Sequence, residues 1–156
     1  MRMLNHTTER TVSAGLLVFR AVLGLIFVAH GAQKLFVYGL DGVGAGFAQM
    51  GIPAPEIAAT IVAFGELLGG TALLAGVLTR LAAAGLAVIM AGAMAIAHLP
   101  NGFFNPGGIE FTLSLFGGAI LLALTGAGRW SLDGFVAAGR SPALVTADRE
   151  HARRAA

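Results

Sequence analysis

Residues 11–38 form an apolar run that carries Arg20, His30, Gln33 and Lys34 inside the stretch RAVLGLIFVAHGAQKLF, from Arg20 to Phe36. An apolar helix of that length reads as membrane-spanning, and a charge at the centre of a spanning helix costs about 2.5–3.5 kcal/mol even on the lenient insertion scale. Each of these polar residues therefore requires a partner, and the choice of partners decides how the remaining helices are arranged.

The composition agrees with a membrane chain. Of 156 residues, 56% are hydrophobic and 12% charged, with a mean hydropathy of +0.81; a soluble domain carries about 25% charge and about 45–50% apolar residues. At about 20 residues per crossing, four spans use most of this length. The absence of cysteine excludes a disulfide framework, thiolate metal sites and thiol redox chemistry by this chain itself. The formal charge is +2, but the basic residues gather near the two ends of the chain, which marks them as topology signals and excludes a nucleic-acid surface. Arg2 and Arg10 precede the first apolar run as in a signal peptide. The run outlasts a typical h-region and contains Arg20, so it reads as retained.

Taken in order, residues 1–10 form a polar tail, and the expected spans are residues 11–38, 56–77, 81–98 and 109–124, with a second polar tail at 141–156. The fold class is all-α, a single integral-membrane four-helix bundle. Gly39 to Pro55 reads as an outer loop with one short helical turn near Ala45 to Met50, and Pro55 suits the start of the second helix. The third helix is rich in Ala and Gly, which permits close approach in lipid. A second Gly/Pro loop, LPNGFFNPGG, precedes Glu110. Arg2, Arg10, Arg80, Arg129 and Arg140 then share one side, which places both termini in the cytoplasm.

Depth suggests the pairings. Counted at about 1.5 Å per residue from the expected helix ends, Arg20 and Glu66 lie at one level, so an Arg20–Glu66 ion pair is expected. His30, Gln33, Lys34, His98 and Glu110 collect in an outer layer, with Lys34–Glu110 as its charge pair. Arg20, Gly24, Phe27, Gly31 and Lys34 share one stripe of the first helix; Glu66, Gly69, Gly70 and Leu73 make a stripe on the second, and Glu110, Ser114, Gly117 and Leu121 one on the fourth. The Arg20–Glu66 pair suits a register-fixing role as well as a functional one. His30 and His98 lack a recognisable ligand spacing, so no metal site is expected.

The motifs RxxLGxxFxxHGxxKL, GELLGG, HLPNGFFNPGGIE and GRWSLD, in this order between Gly15 and Asp133, resemble the DoxX family of small bacterial membrane proteins. The resemblance implies a four-helix protein of the bacterial plasma (inner) membrane, related to DoxD-like subunits of thiosulfate:quinone oxidoreductases and associated with quinone-linked or thiol-linked redox complexes. On the matching positions, Arg20, Lys34, Glu66, His98 and Glu110 are the polar residues of interest, joined by His30. The leading expectation is a membrane subunit of a redox complex, with a protein partner, that binds a quinone head group. His30, Lys34 and His98 would donate to quinone oxygens, and Glu110 would relay protons. The chain carries no evident electron carrier, so whether it is itself an enzyme stays open. The alternatives are a small proton-coupled transporter, which at four helices calls for a homo-oligomer, and a non-catalytic assembly or anchoring protein.

Overall fold

The computed structural model describes the backbone of residues 2–140 and the side chains of residues 7–138, and every regular element among these residues is a helix. Helix α1 (Arg2–Ala32) passes into a wider π-helical segment, Gln33–Tyr38, and then into α2 (Gly39–Gln49). Thr7–Gln49 is thereby one apolar helical stretch of 43 residues, bent at Gly39. Helix α3 (Pro55–Ala75) returns beside it. Helix α4 (Thr79–Ala93) is prolonged by a second π-helical segment, Met94–His98, and a 3-10 turn, Leu99–Asn101. Helix α5 (Glu110–Thr125) follows the Gly/Pro loop, and α6 (Leu132–Arg140) lies beyond it.

The stretch Thr7–Gln49, α3 and the segment Thr79–Asn101 are each long and apolar enough to cross a membrane, and α5 is a shorter apolar helix. Together they make the expected four-helix membrane bundle. The expected spans fall within about two residues of the observed helices except at the first. There the region expected as an outer loop, Gly39 to Pro55, is helical over Gly39–Gln49. The chain turns at Gly39, whose φ of +68° suits glycine, and then continues along α3, with Gly44 packed on Glu56. Of the glycines in this stretch only Gly44 faces α3, at ordinary contact distance, while Gly42 and Gly46 have no neighbour on α3.

The helix ends follow local chemistry. Pro55 sits in the first turn of α3, where its missing N–H is not needed. At the other end Gly76 adopts φ +68°, and the Val77 N–H donates to the Ala72 carbonyl at 3.0 Å, closing the helix as a Schellman motif. Helix α6, which the sequence reading did not anticipate, is capped by Ser131, whose Oγ accepts from the Gly134 N–H at 3.0 Å. The tail expected over 141–156 lies outside the described residues.

Close packing centres on α1 and α3. A Cβ added to Gly31 would lie 2.5 Å from the Leu67 amide nitrogen, and one on Gly70 would lie 2.7 Å from the Gly24 carbonyl oxygen. In lipid, where apolar burial gives little net drive between helices, such backbone approach supplies much of the association. The buried stripe Arg20, Gly24, Phe27, Gly31 is therefore as expected. The glycines of α4 do not play this part, since Gly85 and Gly92 face open space. On α5 the expected stripe is corrected: Ser114, Gly117 and Leu121 are exposed, and Thr112, Leu115, Ala119 and Leu122 are buried. Helix α5 is apolar nearly all round, so periodicity gave no guide to its inner face. The core joins Leu23 and Phe27 of α1, Leu73 of α3, Leu86 and Met90 of α4, and Leu115 and Leu122 of α5.

Candidate functional site

The polar residues of the bundle resolve into three groups, each set by where a helix ends or by how α1 and α3 are registered. The glycine contacts place Gly24 beside Gly70 and Gly31 beside Leu67, an antiparallel register that sets Lys34 opposite Glu66 and Arg20 opposite the end of α3. This overturns the expected Arg20–Glu66 pair. Helix α1 starts at Arg2 and α3 stops at Ala75, so counting inward from Thr11 and Val77 put Arg20 and Glu66 falsely at one depth.

Lys34 and Glu66 form the ion pair instead, with Nζ 2.5 Å from Oε2. The Glu66 side chain is 4% exposed and that of Lys34 20%. Glu66 lies about 14 Å along the helix from Ala75 and about 17 Å from Pro55, close to the middle of α3. A pair at that depth is far from either polar face, where an ionisable side chain is expensive and is found paired. Lys34 also stands in the π-helical segment. Such widened turns are frequent at functional positions, because one inserted residue re-aims the side chains around it.

One helical turn before Lys34, His30 is half-buried and packs its ring on Phe111, with centroids 5.8 Å apart and planes tilted by 48°. Phe111 is in the first turn of α5, so α5 begins near the level of the buried pair while α3 continues past it. On the outward side of α1, a shallow open groove is lined by Ala29, His30, Ala32, Gln33, Phe36 and Val37. The groove lies on this one helical stretch alone, and it sets an imidazole and an amide among exposed apolar side chains.

The second group is the loop between α4 and α5. His98 Nδ1 lies 2.8 Å from the Gly107 carbonyl oxygen. Asn101 donates to the Ala97 carbonyl at 2.9 Å. Glu110 Oε1 accepts from the Asn105 N–H at 2.8 Å. The expected Lys34–Glu110 pair is thus replaced, since Lys34 is taken by Glu66 and Glu110 closes its own loop at the N-terminus of α5, where a carboxylate is favoured. His98 and Glu110 hold the loop, and the described residues place no hydrogen bond between either of them and Lys34 or His30. No group of three metal-ligating side chains occurs among the described residues.

The third group surrounds Arg20, which is 3% exposed. Its Nη1 donates to the Leu73 and Leu74 carbonyls at 2.7 and 2.6 Å, and its Nη2 donates to the Trp130 carbonyl at 2.6 Å. The guanidinium thus caps the C-terminus of α3, the negative end of its dipole, and ties the segment after α5 to it. Asp133 completes this clasp. Its N–H donates to the Gly76 carbonyl at 2.8 Å, and its carboxylate accepts from Leu78 and Thr79 amides at 2.8 and 2.9 Å, capping α4. Burial would raise the Asp133 pKa, but the Thr79 and Leu78 hydrogen bonds and the nearby Arg20 charge outweigh it and hold the carboxyl below its usual range. Asp133 was not singled out from sequence. Its available signal was its place at the end of GRWSLD, two residues after Ser131 and three after the one tryptophan.

The DoxX family model matches residues 15–99, a span that covers both Arg20 and the Lys34–Glu66 pair. The chain is 39% identical over 126 residues to the uncharacterized membrane protein Rv3486 of Mycobacterium tuberculosis, covering 73% of this chain and 76% of that protein. It is 33% identical over 139 residues to CatD of Bacillus subtilis, provisionally named an oxidoreductase, covering 89% of this chain and 99% of that one. With the inner membrane protein YphA of Escherichia coli it shares 32% identity over 124 residues, 76% of this chain and 87% of YphA. No solved structure matches it. These relatives and the spanning helices together make the chain a multi-pass inner-membrane protein.

Proposed function

The chain belongs to the DoxX family, and from that premise we propose that it is the membrane subunit of a quinone-linked oxidoreductase complex whose quinone head group sits at the groove of His30 and Gln33, beside Lys34 and Glu66. The observation that carries this reading is the ion pair near the middle of α3, one turn from a histidine on an open groove. A lipid-soluble quinone reaches its site from the side, through the bilayer, and needs apolar walls for its ring and tail with a few polar donors at its carbonyl oxygens. Ala29, Ala32, Phe36 and Val37 supply the walls, and His30 and Gln33 supply the donors. A quinone fits these residues better than a metal would.

A bound quinone accepts two electrons and two protons. The chain's own residues serve the protons. His30 holds one at an imidazole nitrogen next to the groove, and the Lys34 ammonium fixes a positive charge where negative charge develops on a reduced oxygen. Glu66 holds Lys34 in that position, and His30, reloaded from the aqueous side, delivers the second proton as it does the first. Electrons come from a partner subunit, because no side chain here carries them. The name given to CatD supports a redox setting. His98 and Glu110, first expected as donor and relay, serve this site by holding the loop that leads into α5.

The test is thermal unfolding of the purified protein with short-tailed ubiquinone and menaquinone analogues. At least one should raise the unfolding temperature of the wild type. His30→Ala and Gln33→Ala, which leave the buried pair intact, should each abolish the rise; Gln33→Ala, at an exposed position, should do so with unchanged stability when quinone is absent, and His30→Ala with only the modest loss expected from its contact with Phe111. The proposal fails if no quinone shifts the wild type, or if both variants keep the full shift.

A further inference from the structure

Helix α6 makes a short projecting element whose role the quinone site does not use. Its first turn is locked to the bundle: Arg20 holds the Trp130 carbonyl, Asp133 bonds to Gly76, Leu78 and Thr79, and Ser131 caps the helix. This fixes where α6 starts and how it leaves the ends of α3 and α4. Beyond the clasp it presents Leu132, Phe135 and Val136, which are 53%, 80% and 54% exposed, at the i, i+3, i+4 spacing of a single helix face. Trp130, 53% exposed, precedes that face. Such a face in water would be unfavourable, but α6 begins only a short turn after α5 leaves the membrane.

The same end of the bundle is basic. Arg10, Arg80 and Arg129 are exposed there, Arg129 lying 3.6 Å from Glu9 in a solvated pair, while the carboxylate of Asp133 is engaged by the α4 amides. We propose that α6 is an interfacial foot that lies in the headgroup region of the membrane and recognises anionic lipid. The apolar face enters the acyl boundary, Trp130 sits at the headgroup level, and the surrounding arginines meet anionic headgroups. The bilayer is the occupant of choice because only a short connection separates α6 from the apolar helix α5 and because the exposed arginines around it are complementary in charge to anionic lipid. The foot is independent of quinone binding.

The chain has no cysteine, so single substitutions give clean labelling sites. Phe135→Cys on the apolar face and Ala137→Cys on the opposite one are spin-labelled in the full-length protein, which is then reconstituted in phosphatidylcholine vesicles with and without phosphatidylglycerol. The label at 135 should be several-fold more accessible to oxygen than to a water-soluble nickel chelate, and the label at 137 should show the reverse. Phosphatidylglycerol should deepen the 135 label, and high salt should undo part of that change. Equal water access at the two positions, as for a helix awaiting a soluble protein, overturns the proposal. So does immersion that is the same in both kinds of vesicle.

Discussion

Lys34→Met leaves the Glu66 carboxylate, whose side chain is 4% exposed, facing a thioether near the middle of the bundle. Breaking a buried pair by removing one partner costs about 3–5 kcal/mol, whereas replacing both with apolar groups is often close to neutral. Glu66→Gln is the milder change, because Lys34 is 20% exposed and an amide oxygen can still accept from its ammonium; a loss of about 1–3 kcal/mol is expected. Lys34→Met should therefore be the most destabilising of the set, and Lys34→Met/Glu66→Met should recover much of the loss. The assay is unfolding in mixed micelles followed by the fluorescence of Trp130, the one tryptophan. A double-mutant cycle should give a coupling of about 2–3 kcal/mol. The same cycle between Arg20 and Glu66 should give less than about 0.5 kcal/mol, since Arg20 engages carbonyls about 10 Å farther along α3. Additive effects at Lys34 and Glu66, with strong coupling between Arg20 and Glu66, would refute the register.

Gly31→Ala should destabilise by about 1–3 kcal/mol, because its Cβ would press on the Leu67 backbone, while Gly85→Ala, in open space, should be neutral or slightly stabilising in the same unfolding assay. Arg20→Lys should cost about 1.5–3 kcal/mol, since one ammonium cannot reach the Leu73, Leu74 and Trp130 carbonyls as the planar fork does; the emission of Trp130 should shift as its anchor loosens. For Asp133, the folded pKa is depressed, so its contribution is fully present above the unfolded value of about 3.9 and is lost as pH falls through the folded value. Proteolysis near α6 should accordingly rise below about pH 4 in the wild type, and Asp133→Asn should show that susceptibility already at neutral pH with little further dependence on acid.

What could be read in advance depended on the kind of information each residue carries. Arg20, Gly24, Phe27, Gly31 and Lys34 line up by helical spacing alone, and the structure keeps that stripe against α3. The spacing fixes rotation about a helix but says nothing of the sliding of one helix along another. That sliding is set by backbone contacts at Gly24, Gly31 and Gly70, and it exchanged the partner of Glu66 from Arg20 to Lys34. Helix α5 shows the opposite difficulty. Apolar on nearly every side, it has no polar face to mark its rotation, so Ser114 and Gly117 were placed inside and are exposed. Helix α2 was obscured because glycine signals a turn in water yet is common inside helices in lipid. Helix α6 was not anticipated: Ser131 followed by Leu132, Phe135 and Val136 offers a cap and an apolar face, but so short a segment gives no spanning signal.

Photoaffinity labelling tests the central claim most directly. A quinone analogue with a photoreactive group on its ring, irradiated with the reconstituted protein, should form adducts between Ala29 and Val37 and near Phe111, and excess unlabelled quinone should compete them away. Adducts confined to the region of Trp130 and α6, or adducts in the Ala29–Val37 stretch that unlabelled quinone does not reduce, would contradict a quinone site beside Lys34 and Glu66.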